Sequence, residues 1–245
     1  MKIAWAVNGV LVAVLLVSLS TGTRSMVGAA AKRLETGESL EASKKVAPVI
    51  AQKAEEPFCT PELKETLRRV LTNCGLIGGG RRGCQPNELR NVAQISDQDF
   101  NTLFKPLSHR AGIILFDPEK DDLDEGAKQM LDRLWADQRG ASWFFVVARA
   151  STDDTAERNR VYSHRRANSV LFHLQERFKD PDLEQKVGLL WLGEEYAQLD
   201  ASFCDWSLSR PVEECRIPER TRAQETQLAK RLNRSAVVSW IDCRL

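Results

Sequence analysis

The stretch ARASTDDTAERNRVYSHRRANSV, Ala148 to Val170, decides how this chain is read. An apolar run, SWFFVVARA, leads into it. Its Trp143–Ala148 core is continuously apolar, as a buried strand requires. A short polar loop follows, and from Thr155 to Phe178 the pattern turns helical. Ala167, Val170, Leu171, Leu174 and Phe178 recur at the spacing of one helix face. The unit is therefore strand, polar loop, long arginine-rich helix. Asp153 and Asp154 stand where a helix start favours acidic caps, so the loop reads either as a ligand pocket or as a solvated helix entrance.

The same two periodicities extend in both directions. AGIILFD, Ala111 to Asp117, reads as a strand. Asp121–Gln138 reads as an amphipathic helix with Leu123, Ala127, Met130, Leu131 and Leu134 on one side. KVGLLWLG is a third strand, TRAQETQLAKRL a helix, and AVVSWID a fourth strand. The order β-α-β-α-β-α-β predicts an α+β fold, a two-layer β/α sandwich with helices on one face of a mixed four-stranded sheet.

Outside this region the chain changes character. MKIAWAVNGVLVAVLLVSLS, residues 1–20, has one lysine before an apolar run, as a signal peptide or an uncleaved signal-anchor does. Either exports the remainder of the chain, anchored to the membrane or released by cleavage. Residues 21–56 are rich in Ala, Lys, Glu and Ser and read as a flexible linker spanning roughly 30–36 Å. Residues 57–110 form a small cysteine-bearing region. There TPELKETLRRVLTNCG carries helix punctuation: Thr60 as N-cap, Pro61 at the first turn and Gly75 as stop. GLIGGGRRGC lacks the Gly-Lys-Ser/Thr ending of a phosphate loop and reads as a mobile turn.

Lys and Arg total 35 against 34 Asp and Glu, a balance that argues against a general nucleic-acid binder. The six cysteines are Cys59, Cys74, Cys84, Cys204, Cys215 and Cys243. None forms a C-x-x-C pair, so disulfides in an oxidising compartment are expected rather than zinc or redox chemistry. Cys204 and Cys215, flanking a bend at Pro211, are the expected local bridge. A helix between Cys59 and Cys74 would hold them roughly 20 Å apart, which forbids a bridge between those two. If all six pair, one bridge would have to join the halves of the chain; the alternative is that some cysteines are free and buried.

Beyond these patterns, residues 111–245 resemble the OmpA-like peptidoglycan-binding family. NRVYSHRRANSV is similar to that family's N-x-x-L-S-x-x-R-A-x-x-V, through Asn159, Ser163, Arg166, Ala167 and Val170, with Tyr162 at the leucine position. LGEEYAQLD resembles its G-E-x-x-P through Gly193 and Glu194, without the proline. LNRSAVVSWI resembles its closing N-R-R-V through Asn233 and Arg234. The resemblance implies binding to the diaminopimelate-bearing stem peptide of peptidoglycan. The free tip of that residue is a zwitterion, which wants an arginine fork for its carboxylate and an acid for its ammonium.

By the same resemblance Arg166 is the fork and Asn159 a ligand-side residue. The family's G-H-T-D loop falls on Ala148–Ser151, so Ser151 stands where the family has aspartate. Asp153 or Asp154 would have to supply the charge, and Arg149 would sit at the rim. Losing one partner of a buried charge pair costs about 2–5 kcal/mol, so this substitution bears directly on affinity.

There is no H-E-x-x-H, no G-x-S-x-G and no phosphate loop, and His109, His164 and His173 are scattered. A non-enzymatic binding protein without cofactor or metal is expected. Its partners would be peptidoglycan, the membrane through residues 1–20, and other envelope proteins. The alternative is a scaffold that keeps the fold but has lost wall binding. No acidic residue lies between Ile3 and Ser20, unlike the ion-conducting stator relatives of the family.

Overall fold

A computed structural model describes residues 57–77, 83–85, 96–138 and 141–244; all lie in one unit. The expected N-terminal membrane segment and linker fall outside those residues. Among the described residues no helix is long and apolar enough to cross a membrane.

The first helix, α1 (Pro61–Asn73), starts where its punctuation predicts. Thr60 caps it by accepting from the Leu63 amide, and Gly75 follows at φ 71°. Leu63, Leu67, Val70 and Leu71 are buried on one face. Next come the two-residue strand β1 (Gly83–Cys84), α2 (Asp97–Phe104), a 3-10 turn over Lys105–Arg110, and strand β2 (Ala111–Leu115). Then follow α3 (Glu125–Asp137), β3 (Trp143–Ala148), α4 (Ala156–Phe178) and the short α5 (Leu183–Lys186). The chain closes with β4 (Val187–Trp191), α6 (Arg222–Asn233) and β5 (Ser235–Ile241).

The sheet is mixed, in the order β1-β4-β3-β5-β2. β1, β4 and β3 run parallel, while β5 lies antiparallel between β3 and β2. It therefore has five strands, not four. The extra one comes from the glycine-rich stretch read as a turn, of which residues 78–82 lie outside the described set. A Cβ on Gly83 would overlap both the Trp191 ring and the Leu189 carbonyl oxygen, so only glycine lets this strand approach β4.

The second correction concerns layering. The sheet is covered on both faces rather than one. Residues alternate along each strand. Ile114, Phe144, Val146, Ala148, Val238 and Trp240 pack with α3 and α4. Their neighbours Ile113, Leu115, Phe145, Val147 and Val237 pack with Leu67 and Leu71 of α1, Phe100 of α2 and Leu228 and Leu232 of α6. Two-sided burial explains why these strands are apolar at nearly every position instead of alternating.

The edge at β2 is closed by the segment after β4. Ile113 N–H donates to Ser207 O at 2.8 Å, and Ser209 N–H donates to Ile113 O at 2.9 Å. Capping an open edge in this way removes a template for aggregation.

Three disulfides are formed: Cys59–Cys243, Cys74–Cys84 and Cys204–Cys215. The local bridge at Cys204–Cys215 is the expected one, and Cys59 does not pair with Cys74. Cys59–Cys243 is the bridge between the two ends of the described fold, at a sequence separation of 184. Three closed bridges point to an oxidising compartment outside the cytoplasm.

Candidate functional site

The loop between β3 and α4 and the first three turns of α4 build a pocket. Thr155 is the helix cap, accepting from the Arg158 amide. Asp154 Oδ1 accepts from the Thr155 amide at 2.7 Å, one position before that cap. From Thr155 onward, Asn159, Ser163 and Arg166 recur at three- and four-residue steps, so all three share one helix face turned inward.

Each of them fastens a different segment. Asn159 Nδ2 donates to Asp154 O at 3.1 Å and to Glu194 Oε2. Ser163 Oγ accepts from the Gly193 amide at 3.0 Å, and Gly193 O in turn accepts from the Ala150 amide at 2.8 Å. Gly193 sits at φ 58°, which favours glycine, and a side chain there would press on Arg160. Asn233 bonds Leu199 through both its amide atoms, pinning the chain after β4 to the end of α6. Asn159, Ser163 and Asn233 thus all fasten the segment that follows β4.

Arg166 is 2% exposed. Its Nε donates to Lys120 O at 3.0 Å, Nη1 to Arg149 O at 3.0 Å and Nη2 to Asp117 O at 3.4 Å. The guanidinium lies 5.3 Å from the Phe116 ring centroid and 5.7 Å from that of Tyr162. Desolvation, reinforced by the charge of Arg234, pushes its pKa down to about 10, so it stays charged at neutral pH. A guanidinium has five N–H donors. Three are spent on carbonyls, and two remain, one on each terminal nitrogen. Among the described residues no carboxylate pairs with it.

The cavity it lines measures about 240 Å³ and is bounded also by Ser151, Asp153, Asp154, Asn159, Glu119 and Arg234. That is below the roughly 300–1,000 Å³ of a drug-sized ligand pocket and suits one amino-acid end group. Asp153 is heavily engaged. Its Oδ2 accepts from Ser151 Oγ at 2.6 Å and from Arg234 Nη1 at 3.2 Å, and its Oδ1 meets Lys230 Nζ at 2.6 Å. Burial works to raise its pKa. Hydrogen bonds from Lys230 and Ser151 and the charges of Lys230 and Arg234 outweigh that and hold it below the ordinary value. Among the described residues Asp154 Oδ2 pairs with Arg158 alone, which is well exposed.

Arg149 does not belong to this pocket. Alternation along β3 sends it to the opposite face with Phe145 and Val147. There it is 1% exposed and donates to Ala197 O at 2.6 Å, Val147 O at 3.0 Å and Asn101 Oδ1 at 2.8 Å. Desolvation lowers its pKa to about 9. It is a lock between the sheet and α2, and the rim position expected for it is vacated by the parity of the strand. Conversely, Glu119 and Arg234 line the cavity although neither stood among the expected ligand residues. Glu119 sits in an irregular loop at φ 57°, where no periodicity could mark it. Arg234 had a signal, its place beside Asn233 in LNRSAVVSWI.

Among the described residues no group of three or more His, Cys, Asp and Glu side chains could hold a metal ion. No protein-family model matches the chain, and no curated protein matches it either.

Proposed function

We propose that the chain is a non-enzymatic, OmpA-like binding protein of the cell envelope that grips peptidoglycan through the diaminopimelate-bearing stem peptide. The observation that carries this reading is Arg166, a fixed guanidinium with two unspent donors and no carboxylate partner among the described residues, facing a cavity of amino-acid size. A buried cation of this kind favours an anion, and a planar carboxylate matches the two remaining donors. The ligand carboxylate meets Arg166, with Asn159 beside it. The ligand ammonium meets Asp154 or Glu119, the two lining carboxylates that are not already held between two cations. Ser151 contributes a hydroxyl that orients Asp153 rather than a charge. Residues 1–20 supply an inner-membrane anchor or a signal, and the domain works in the periplasm.

A second reading, a scaffold that keeps the fold and binds envelope proteins, is favoured by the state of Asp153, whose charge is spent on Lys230 and Arg234. Insoluble cell-wall sacculi separate the two. Sedimentation of the purified domain with sacculi, abolished by Arg166→Ala, is the expected outcome. A folded wild-type domain that stays in the supernatant would leave the scaffold reading.

A further inference from the structure

A second cavity, about 310 Å³, lies on the far side of Arg234. Its walls are Phe116–Pro118, the Arg210–Val212 stretch inside the Cys204–Cys215 loop, and Arg231 in the last turn of α6. The two cavities share Pro118 and Arg234. Three guanidiniums line this one against a single lining carboxylate, Asp117.

They are not equally engaged. Arg210 is satisfied, meeting Asp117 Oδ1 at 2.8 Å and Asp124 Oδ2 at 3.3 Å. Arg231 meets Glu214 Oε1 through Nε at 3.1 Å, which leaves its terminal nitrogens without a partner among the described residues. Arg234 reaches Asp153 through Nη1, while its buried Nε has no hydrogen-bond partner. A buried donor left unmatched is destabilising, and an acceptor inside the cavity would recover that loss. Arg234 Nε and the Arg231 terminus belong to the wall of one cleft, and both can only donate. The complement to such a pair is an oxyanion.

We propose that this cleft is an oxyanion subsite that takes a second carboxylate of the same stem peptide while its diaminopimelate tip occupies the Arg166 pocket. The inference rests on the function proposed above. The stem peptide carries free carboxylates at its C-terminal D-alanine and on its γ-linked D-glutamate, and either presents the required chemistry. Arg234 then works on both sides: Nη1 sets the Asp153 carboxylate in the first cavity, and Nε meets the ligand in the second.

The test is calorimetric titration of the full folded domain with free diaminopimelate, with the tetrapeptide L-Ala-γ-D-Glu-diaminopimelate-D-Ala, and with versions amidated at one carboxylate or the other. The variants are Arg231→Gln, at a half-exposed position, and Arg166→Ala. Arg231→Gln is expected to weaken the tetrapeptide about tenfold and leave free diaminopimelate unchanged. Amidating the carboxylate that occupies the subsite should give the same loss in wild type and make Arg231→Gln silent, which identifies the source. Equal tetrapeptide affinities for wild type and Arg231→Gln, or equal losses for both ligands, overturn the subsite. Failure of free diaminopimelate and tetrapeptide alike to bind wild type sinks the Arg166 reading by itself. The subsite is then judged with inorganic phosphate: saturable shifts of the Arg231 and Arg234 side-chain resonances, lost in Arg231→Gln, support it, and their absence overturns it.

Discussion

Replacing Arg166 separates binding from folding, and the structure sets the size of each effect. In Arg166→Ala three carbonyls lose a donor. Those of Lys120 and Asp117 lie in an exposed loop and regain water, whereas the bond to Arg149 O is buried. One stranded buried acceptor costs about 1–3 kcal/mol. Relief of a desolvated cation offsets part of that, so the domain should unfold at somewhat lower urea and remain folded without denaturant. Binding falls much further. Truncating one side of a buried, hydrogen-bonded charge pair costs about 2–5 kcal/mol, or roughly 30-fold to several thousand-fold in Kd. Arg166→Lys sharpens the contrast. It keeps the charge and one carbonyl bond but loses the planar fork, so stability should largely recover while affinity stays at least about tenfold down. Calorimetry with a diaminopimelate-containing tripeptide reads the first quantity and urea denaturation the second. A folded Arg166→Ala variant that binds within about threefold of wild type would refute the idea that this guanidinium holds the ligand.

Three further outcomes are expected. The double variant Cys59→Ser/Cys243→Ser should lose about 5 kcal/mol in urea denaturation, the chain-entropy value for a bridge at separation 184, and a loss under about 2 kcal/mol would mean the denatured chain stays compact without it. Asp153 has a depressed folded pKa. Its contribution to stability is therefore complete above the unfolded value near 3.9 and disappears as pH falls through the lower folded value; Asp153→Asn should flatten that part of the acid-unfolding profile. Gly83→Val should detach β1 from β4 and lower stability by about 1–3 kcal/mol, seen as a reduced Tm, because its side chain would collide with the Trp191 ring and Leu189 O.

The long elements were legible because their signals are local and repeated. The helical stripe through Ala167, Val170 and Leu174 and the uninterrupted apolar run of β3 each state their period several times over. Layering was not read correctly: helices were expected on one face only, although strands apolar at every position imply cover on both, and Phe145 and Val147 pack on the face away from α3 and α4. The same parity rule disposes of Arg149, which lies two residues beyond Val147 and shares its face. β1 was not legible, since two residues have no period and its pairing depends on a contact with Trp191 more than a hundred positions away. At the pocket, Arg166 and Asn159 were marked by the resemblance of NRVYSHRRANSV to a family motif, not by periodicity, which on its own would leave an arginine on a solvated face. Glu119 was not, because its placement follows from an irregular turn, and the engagement of Asp153 depends on Lys230 and Arg234 arriving from the far end of the chain.

The Cys59–Cys243 bridge also bears on how the fold would carry load. Traction applied to the chain ahead of Cys59 does not have to peel α1 away before reaching the sheet. It divides at the sulfur atoms, and one branch enters β5, an inner strand held by ladders to β3 on one side and β2 on the other. Shearing that strand loads many hydrogen bonds at once instead of unzipping them in turn. Pulling from that end would thus load the interior of the sheet before its edges.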